Sequence, residues 1–394
     1  MVLKNIYHSF FSGLEGADFE VTYWDGETVA YGSGDPRVKV VFKKPLPFNF
    51  NSENAVLTLG EAYMDGLVDF EGSLEEIIRI AQRNGEGKVS RGLTGRIASA
   101  ISGIGNSKAR QKKNIQHHYD LGNDFFSLWL DETMSYSCAY FKSPGDTLYQ
   151  AQQQKIDYIL KKLQLKPGER LLDIGCGWGW LVIRAARQYG VKALGITLSQ
   201  EQYRAAREKV KSEGLSGAVD IQLKNYLDLA GEEHSFDRVV SVGMFEHVGR
   251  ENIAQYMEVV SKLLRPGGLS LLHSIMGADE HPVNPWIEKY IFPGGYIPSL
   301  RETIWLMTEH NFHLLHAESL RLHYALTLDR WYTNFRNNIA AVREKFGDRF
   351  VRMWSLYLCG CAASFRASGL NVYQLLFSRG LNNGLPMTMD YLYK

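Results

Sequence analysis

The feature that most constrains the fold is a regular alternation of strand and helix patterns from residue 150 onward. ERLLDIG, VKALGITL and LSLLHSI are short apolar runs typical of buried strands, whereas WLVIRAARQYG and SQEQYRAAREKVKSEG have the spacing of amphipathic helices. Strands that alternate with helices at this spacing form parallel βαβ units. We therefore predict an α/β fold with a doubly wound, Rossmann-like sheet.

A glycine-rich turn follows the first of these strands. Asp173, Gly175, Gly177 and Gly179 form D-x-G-x-G-x-G ahead of a helix, a pattern that lets the backbone approach a ligand closely. A dinucleotide site would need an acidic residue at the tip of the next strand, about 20 residues past the glycines. That tip, at residues 195–199, reads GITLS and has no carboxylate. The turn therefore favours S-adenosylmethionine over a dinucleotide, and a tight turn without a ligand is the plain alternative.

Charge divides the 394-residue chain into three parts. Residues 1–85 carry 7 basic and 13 acidic residues, residues 86–114 carry 7 and 1, and residues 115–394 carry 30 and 29. The near-neutral total of +1 therefore conceals a strongly basic segment between an acidic region and a neutral one. We predict an N-terminal domain at 1–85 for lipid or partner docking, a Gly/Ser-rich linker at 86–114 and a catalytic domain at 115–394.

The N-terminal region has the signals of a small α+β domain. Asp25-Gly26 lies between two alternating runs, which predicts a β-hairpin, and VKVVF adds a third strand. A helix is expected from Leu57, and Ser73 with Glu76 forms a capping box ahead of another.

The basic segment has two interpretations. It is either a solvated linker with one short docking helix or a basic amphipathic element that contacts an anionic membrane surface. No aromatic residues interleave its basic ones, so nucleic acid is not an expected partner. Four cysteines without metal-site spacing indicate a reducing compartment and no metal. With no signal-peptide pattern and no apolar run long enough to span a bilayer, we expect a cytoplasmic protein bound peripherally to the inner face of the membrane.

Several longer segments resemble cyclopropane-fatty-acyl-phospholipid synthases and the related mycolic acid cyclopropane synthases. The resemblance is strong over about residues 115–394 and follows the same order throughout; it is carried by HHYDLGNDFF (117–126), SYSCAYF (135–141), LDIGCGWG (172–179), GITLSQEQ (195–202), DRVVSVGMFEHVG (237–249), LLHSI (271–275), YIFPGGYIPSL (290–300) and HYALTLDRW (323–331). It implies a methyltransferase sheet and a lipid substrate, the phospholipid acyl chains at the membrane surface.

The family reaction adds a methylene from S-adenosylmethionine across a cis double bond and releases S-adenosylhomocysteine. Methyl transfer leaves a carbocation on the acyl chain, which must be stabilised and must lose a proton. The resemblance implies that a bound bicarbonate is the base, and the family's site residues correspond here to Cys138, Glu246, His273, Ile275 and Tyr324. Taken singly, Cys138, His273 and Tyr324 would be ordinary core residues, whereas Glu246 follows a strand end, where functional side chains gather.

The resemblance also assigns residues to the sulfonium cofactor. Asp173 precedes the glycines, and Tyr226-Leu227 replaces the Trp-Glu of the mycolic acid enzymes, so an adenine contact through a carboxylate is lost. The expected cofactor residues are Tyr119, Tyr136, Ser137, Asp173, Gly175, Gly177, Thr197, Gln202, Asn225, Tyr226 and Leu227.

Three alternatives stay open at this point. The same fold could make a methyl-branched lipid or methylate a small molecule, and a non-catalytic lipid-binding protein is the alternative from another class. The opposite charges of residues 1–85 and 86–114 would also allow the acidic domain to dock on a neighbouring chain, as a homodimer.

Overall fold

The structure is a computed structural model that describes residues 2–46, 55–86, 121–229 and 231–393. These residues form two compact units. The first contains the described residues up to 86 together with Asn284–Ile291 and Leu328–Gly369. The second contains residues 121–283, Phe292–Thr327 and 370–393.

The first unit contains a four-stranded sheet. Its strands are β1 (Phe19–Thr22), β2 (Thr28–Tyr31), β3 (Val38–Phe42) and β4 (Val68–Glu71), in the order β2-β1-β3-β4. The predicted hairpin is confirmed: β1 pairs antiparallel with β2, and Gly26 has a φ of 86° in the turn between them. Alternate strand residues such as Phe19 and Val21 are buried, so one face of the sheet supplies the apolar core of this unit.

The helices of the chain follow in order. They are α1 (Val2–Ser12), α2 (Ala55–Met64), α3 (Leu74–Glu86), α4 (Asn123–Ser127), α5 (Leu148–Leu163), α6 (Trp180–Tyr189), α7 (Gln200–Ser212), α8 (Ile253–Leu263), α9 (Pro285–Tyr290), α10 (Leu300–Glu309), α11 (Arg321–Asn337) and α12 (Ile339–Ala367). Short 3₁₀ turns occupy Tyr226–Asp228, Phe245–His247, Arg250–Asn252 and Asp390–Leu392.

Distant parts of the chain complete the first unit. Arg352 on α12 donates to the Val68 carbonyl and the Asp69 carboxylate of β4, each at 2.8 Å. Arg366 on the same helix pairs with Glu75 on α3. Ser73 accepts from the Glu76 N–H, as the predicted cap requires. A small α+β N-terminal domain is therefore confirmed, but it also takes in helices from residues beyond 280, which the sequence did not predict.

The second unit contains a seven-stranded sheet. Its strands are β5 (Arg170–Ile174), β6 (Lys192–Thr197), β7 (Val219–Leu223), β8 (Phe236–Val242), β9 (Leu264–Met276), β12 (Phe312–Ser319) and β13 (Asn371–Arg379), in the order β12-β13-β9-β8-β5-β6-β7. Strands β9, β8, β5, β6 and β7 pair in parallel, and β13 runs antiparallel to both its neighbours. A separate two-stranded ribbon pairs β10 (His281–Pro282) with β11 (Tyr296–Ile297).

Apolar cores cover both faces of this sheet, as the doubly wound prediction requires. Successive β5 residues Leu171 and Leu172 belong to different core clusters, because neighbouring side chains of a strand point to opposite faces. One cluster includes α5 and α6 residues and the other includes α8 residues. The predicted α/β methyltransferase-type sheet is confirmed, whereas the predicted boundaries at 85/86 and 114/115 lie in or beside residues 87–120, outside the described chain, and stay predictions.

Candidate active site

The site lies where the order of the parallel strands reverses. The chain passes from β5 outward through β6 and β7, then returns to place β8 on the other side of β5. In open α/β sheets, ligands bind outside the carboxyl ends of the strands at such a switch point. Here those ends carry the glycine turn after Ile174 and the MFEHV segment after Val242.

The glycine turn leaves space that a side chain would fill. Gly175 has a φ of 87°, and a Cβ placed on it would lie 2.8 Å from the Met244 Cβ. Gly177 and Gly179 also have positive φ values, and α6 begins at Trp180 directly after them. Free N–H groups at the start of a helix and a backbone without side chains make this turn suitable for the polar end of a ligand.

A single cleft encloses most of the predicted cofactor residues, with about 1090 Å³ of space including its open mouth. Its lining includes Tyr136, Ser137, Asp173, Gly175, Gly177, Thr197, Gln202, Asn225 and Tyr226. Leu227 does not line this cleft in the described structure; its side chain packs against the core. Tyr119 lies outside the described residues. The cofactor roles of all these residues stay predictions.

Two predicted residues after β6 hold each other in place. The Thr197 hydroxyl donates to the Gln202 side-chain oxygen at 2.8 Å, and both residues are buried. Ser199 caps α7 by accepting from the Gln202 N–H. The loop after β6 is therefore built from local hydrogen bonds, which gives the cleft a fixed polar wall.

A buried lysine faces the predicted aspartate across the cleft. Lys155 on α5 is 3% exposed and donates to the Ser137 hydroxyl at 2.9 Å. Burial lowers the pKa of Lys155 to about 8, against the opposing charges of Asp131, Cys138 and Asp173. Burial raises the pKa of Asp173 to about 7, which the charge of Lys155 partly offsets. Each of the two groups is thus close to losing its charge at neutral pH.

Two acceptors of the cleft lack partners within the protein. Among the described residues, no hydrogen bond reaches Asp173 Oδ1 or the Tyr226 hydroxyl, although both atoms are buried. Burial raises the pKa of Tyr226 to about 12, so the phenol keeps its proton. Unpaired buried polar atoms are costly and rare in folded proteins, so these two indicate a polar ligand in the cleft.

Glu246 and Ile275, two of the predicted base-site residues, are in direct contact. Glu246 Oε1 accepts from the Ile275 N–H at 2.6 Å, while Oε2 is buried with no hydrogen bond from the described residues. Burial raises the pKa of Glu246 to about 7, against the opposing effect of the Ile275 N–H. One oxygen is therefore fixed and the other is left for a ligand.

The other predicted base-site residues lie on neighbouring elements. The Cys138 thiol donates to the Leu320 carbonyl at 3.8 Å, and the Tyr324 N–H donates to the same carbonyl at 3.0 Å. Burial raises the pKa of the Cys138 thiol, so it stays neutral. His273 lies within β9, two residues before Ile275, and its pKa is well below the usual value because of burial. The structure joins Cys138 to Tyr324 and Glu246 to Ile275, and no direct hydrogen bond joins His273 to these four in the described structure.

Sequence reasoning missed two lining residues. Lys155 falls on the apolar face of α5, four residues after Ala151 and four before Ile159, and a lysine on that face was the available signal. His247 also lines the cleft, beside Glu246, and burial lowers its pKa to about 4, so it is neutral. In the described parts of the chain, no three His, Cys, Asp or Glu side chains form a metal-binding group.

Comparison with known proteins gives consistent similarities. The mycolic acid cyclopropane synthetase family matches residues 106–375, and a domain of unknown function (DUF7884) matches residues 6–91. The cyclopropane-fatty-acyl-phospholipid synthase of Escherichia coli (strain K12) is 40% identical over 90% of this chain and 91% of its own. A probable fatty acid methyltransferase of Pseudomonas putida is 38% identical over 94% and 95%. The solved mycolic acid cyclopropane synthase CmaA1, complexed with SAH and CTAB, has a TM-score of 0.64 at 36% identity over 68% of this chain and 98% of that one.

The sheet order, the glycine turn and the cleft at its switch point define an S-adenosylmethionine-dependent methyltransferase. Within that class, the chain belongs to the mycolic acid cyclopropane synthetase family, which unites cyclopropane synthases and fatty acid methyltransferases.

Proposed function

We propose that this enzyme is a cyclopropane-fatty-acyl-phospholipid synthase. It adds a methylene from S-adenosylmethionine across the cis double bond of a phospholipid acyl chain and releases S-adenosylhomocysteine. The observation that carries the proposal is Glu246, which has one oxygen fixed by the Ile275 N–H and a second, buried oxygen without a partner among the described residues. A carboxylate held in this way suits a step in which a proton leaves the reacting carbon.

The cofactor end of the cleft fits S-adenosylmethionine. Gly175 leaves room for backbone approach, and the unpaired oxygens of Asp173 and Tyr226 can accept from a ligand's N–H groups. A bound sulfonium supplies an electrophilic methyl group. The residues that would hold the cofactor are Tyr119, Tyr136, Ser137, Asp173, Gly175, Gly177, Thr197, Gln202, Asn225, Tyr226 and Leu227, with Lys155 added from the geometry.

The base end fits a small oxyanion such as bicarbonate. The buried Oε2 of Glu246 can share a proton with it, because the pKa of that carboxyl, raised by burial to about 7, lies near neutrality. Cys138 would act through position, since its thiol is buried and neutral. Cys138, Glu246, His273, Ile275 and Tyr324 would hold the ion, and bound bicarbonate would supply a base beside the new methyl group.

The substrate implies contact with a membrane surface. No helix in the described parts of the chain is long and apolar enough to span a bilayer. We infer peripheral binding to the inner face of the membrane through the basic segment at 86–114, whose net charge suits anionic headgroups. A homodimer joined through the acidic region and the basic segment also belongs to this proposal, and sedimentation at low and high salt would test it.

The test is incubation with S-adenosylmethionine and vesicles of unsaturated phospholipid, followed by mass spectrometry of the acyl chains. We expect a gain of one CH₂ per double bond and a product that resists ozonolysis, because a ring has no double bond to cleave. An unchanged acyl mass with intact cofactor binding would contradict the proposal and support a non-catalytic lipid-binding protein.

A second candidate is a methyltransferase that makes methyl-branched lipid. The 38% identity to a probable fatty acid methyltransferase over 94% of the chain favours it. Its unsaturated branched product would also gain one CH₂ but would be cleaved by ozone. The same experiment therefore separates the two reactions.

A further inference from the structure

A line of four polar side chains runs inward from the protein surface to the candidate base site. The Lys162 ammonium on α5 donates to Glu318 Oε2 at 2.6 Å and to Gln374 Oε1 at 2.7 Å. The Gln374 side-chain nitrogen lies 3.1 Å from His273 Nδ1. Lys162, Gln374 and His273 are almost completely buried, and the Glu318 side chain at the outer end is 22% exposed.

The chemistry of these groups fixes the direction of each hydrogen bond. An ammonium can only donate, so the Gln374 oxygen must face Lys162 and the Gln374 NH₂ must face His273. That NH₂ also only donates, so His273 Nδ1 has to accept and cannot carry a proton. A neutral imidazole then carries its proton on Nε2.

The surroundings also keep His273 neutral. Burial lowers its pKa well below the usual value, and the positive charges of Lys155 and Lys162 lower it further. Lys162 itself is stabilised by the Glu318 carboxylate and by the face of the Tyr158 ring, 4.2 Å from its nitrogen to the ring centroid. The ring of His273 therefore presents a single hydrogen-bond donor, Nε2–H, and no hydrogen bond within the described chain occupies it.

We propose that Lys162 and Gln374 are positioning residues that hold His273 as the Nε2–H tautomer, so that its ring donates to an oxyanion. This inference rests on the proposed function, in which His273 belongs to the site of the anionic base. It gives the buried lysine a role in the reaction although it lies two hydrogen bonds away from His273.

The arrangement exceeds what folding requires. Backbone pairing of β13 with β9 already sets Gln374 opposite His273, and the flanking pairs Leu375–Leu272 and Leu376–Leu271 supply apolar packing. Burying a lysine completely costs several kcal/mol unless its partners compensate. A lysine–glutamine pair at this place instead selects between two tautomers of nearly equal intrinsic energy, one of which presents a donor and the other an acceptor.

The decisive test exchanges the amide for a carboxylate of the same shape, Gln374→Glu. Nitrogen-15 NMR of the full-length protein labelled at histidine, with the His273 signals assigned by their loss in His273→Asn, reports which ring nitrogen is protonated. We expect protonated Nε2 and bare Nδ1 in the unsubstituted protein, and protonated Nδ1 in Gln374→Glu, because a carboxylate can only accept. A proton on Nδ1 in the unsubstituted protein, or a bare Nδ1 in Gln374→Glu, would overturn the inference, and the first measurement suffices if the variant does not fold.

Turnover gives the functional readout. We expect the kcat of Gln374→Glu to fall about 10- to 100-fold, by analogy with the loss of one donor to an oxyanion. The Kd for S-adenosylmethionine should change less than about twofold, because Gln374 is not among the residues that line the cofactor cleft. Gln164→Glu is the matched control, since that side chain donates to Tyr391 elsewhere, and its kcat should be unchanged.

The tautomer measurement needs no turnover, so the two proposals fail separately. A product without a ring refutes the proposed function and leaves the nitrogen spectra to decide the tautomer. Full kcat in Gln374→Glu with a ring-containing product refutes the positioning role alone.

Discussion

Replacing the candidate base-site carboxylate should make the protein more stable as it becomes less active. In Glu246→Gln the amide oxygen can still accept from the Ile275 N–H, but the side chain no longer ionises. Burial raises the pKa of Glu246 from 4.5 to about 7 in the folded protein. Between these two values the folded state holds a proton that the unfolded state has released, so the stability of the unsubstituted protein falls as pH rises through this window.

The size of this effect follows from the pKa difference. One pKa unit corresponds to about 1.4 kcal/mol, so the shift to about 7 corresponds to about 3 kcal/mol of stability lost between pH 4.5 and 7. Glutamine does not titrate. The free energy of unfolding of Glu246→Gln minus that of the unsubstituted protein should therefore rise by about 3 kcal/mol across the window and stay constant above pH 7.

Urea denaturation at half-unit pH steps from 4.5 to 8.5 measures this difference. Glu208→Gln on the exposed face of α7 is the matched control, because solvent surrounds that side chain in both states. In parallel, turnover of Glu246→Gln at pH 7.5 should fall about 100-fold or more with cofactor affinity retained. A difference in unfolding free energy that does not change with pH would refute the argument that Glu246 is desolvated in the folded state.

Three further predictions test the cofactor cleft and the membrane contact. Gly175→Ala should weaken S-adenosylmethionine binding about tenfold or more in calorimetry, because its Cβ would meet Met244 at 2.8 Å; Gly214→Ala, with a positive φ but open space, should leave binding unchanged. Lys155→Met should also weaken binding about tenfold or more, since Asp173 loses the nearby positive charge that favours its ionised form; unchanged affinity would exclude Lys155 from the cofactor site. Exchange of the basic cluster for glutamine should reduce binding to anionic vesicles in a salt-sensitive way and leave neutral vesicles unaffected, and undiminished anionic binding would contradict it; the cluster is Lys108, Arg110, Lys112 and Lys113.

Local patterns predicted the strand ends and therefore most of the cleft. The glycine turn after β5 and the Thr197 loop after β6 are contiguous with the strands that position them, so alternation and turn residues were enough. The hairpin at Asp25-Gly26 is equally local. Parallel strands with one order reversal bring these ends to one edge, and this turns a linear pattern into a site.

The missed features depend on contacts between distant residues. Gln374 meets His273 through pairing of β13 with β9, about a hundred residues apart, and nothing near either residue signals that register. Lys162 is harder still to predict, because a lysine in a helix normally lies in solvent. The helices of residues 328–369 join the N-terminal strands for the same reason: Arg352 contacts Asp69 through a fold that no local pattern encodes.

The unpaired atoms of the cleft explain why stability and activity should oppose each other here. Asp173 Oδ1, the Tyr226 hydroxyl and Glu246 Oε2 are buried without hydrogen bonds from the described residues, and each such atom costs about 1–3 kcal/mol. A ligand that donates to these atoms removes that cost, so its binding free energy includes the penalty that the unliganded protein carries. Apolar or amide replacements at these positions should raise stability without ligand and reduce the stabilisation that S-adenosylmethionine gives. The cleft is therefore built for an occupant, and the protein alone is not its most stable form.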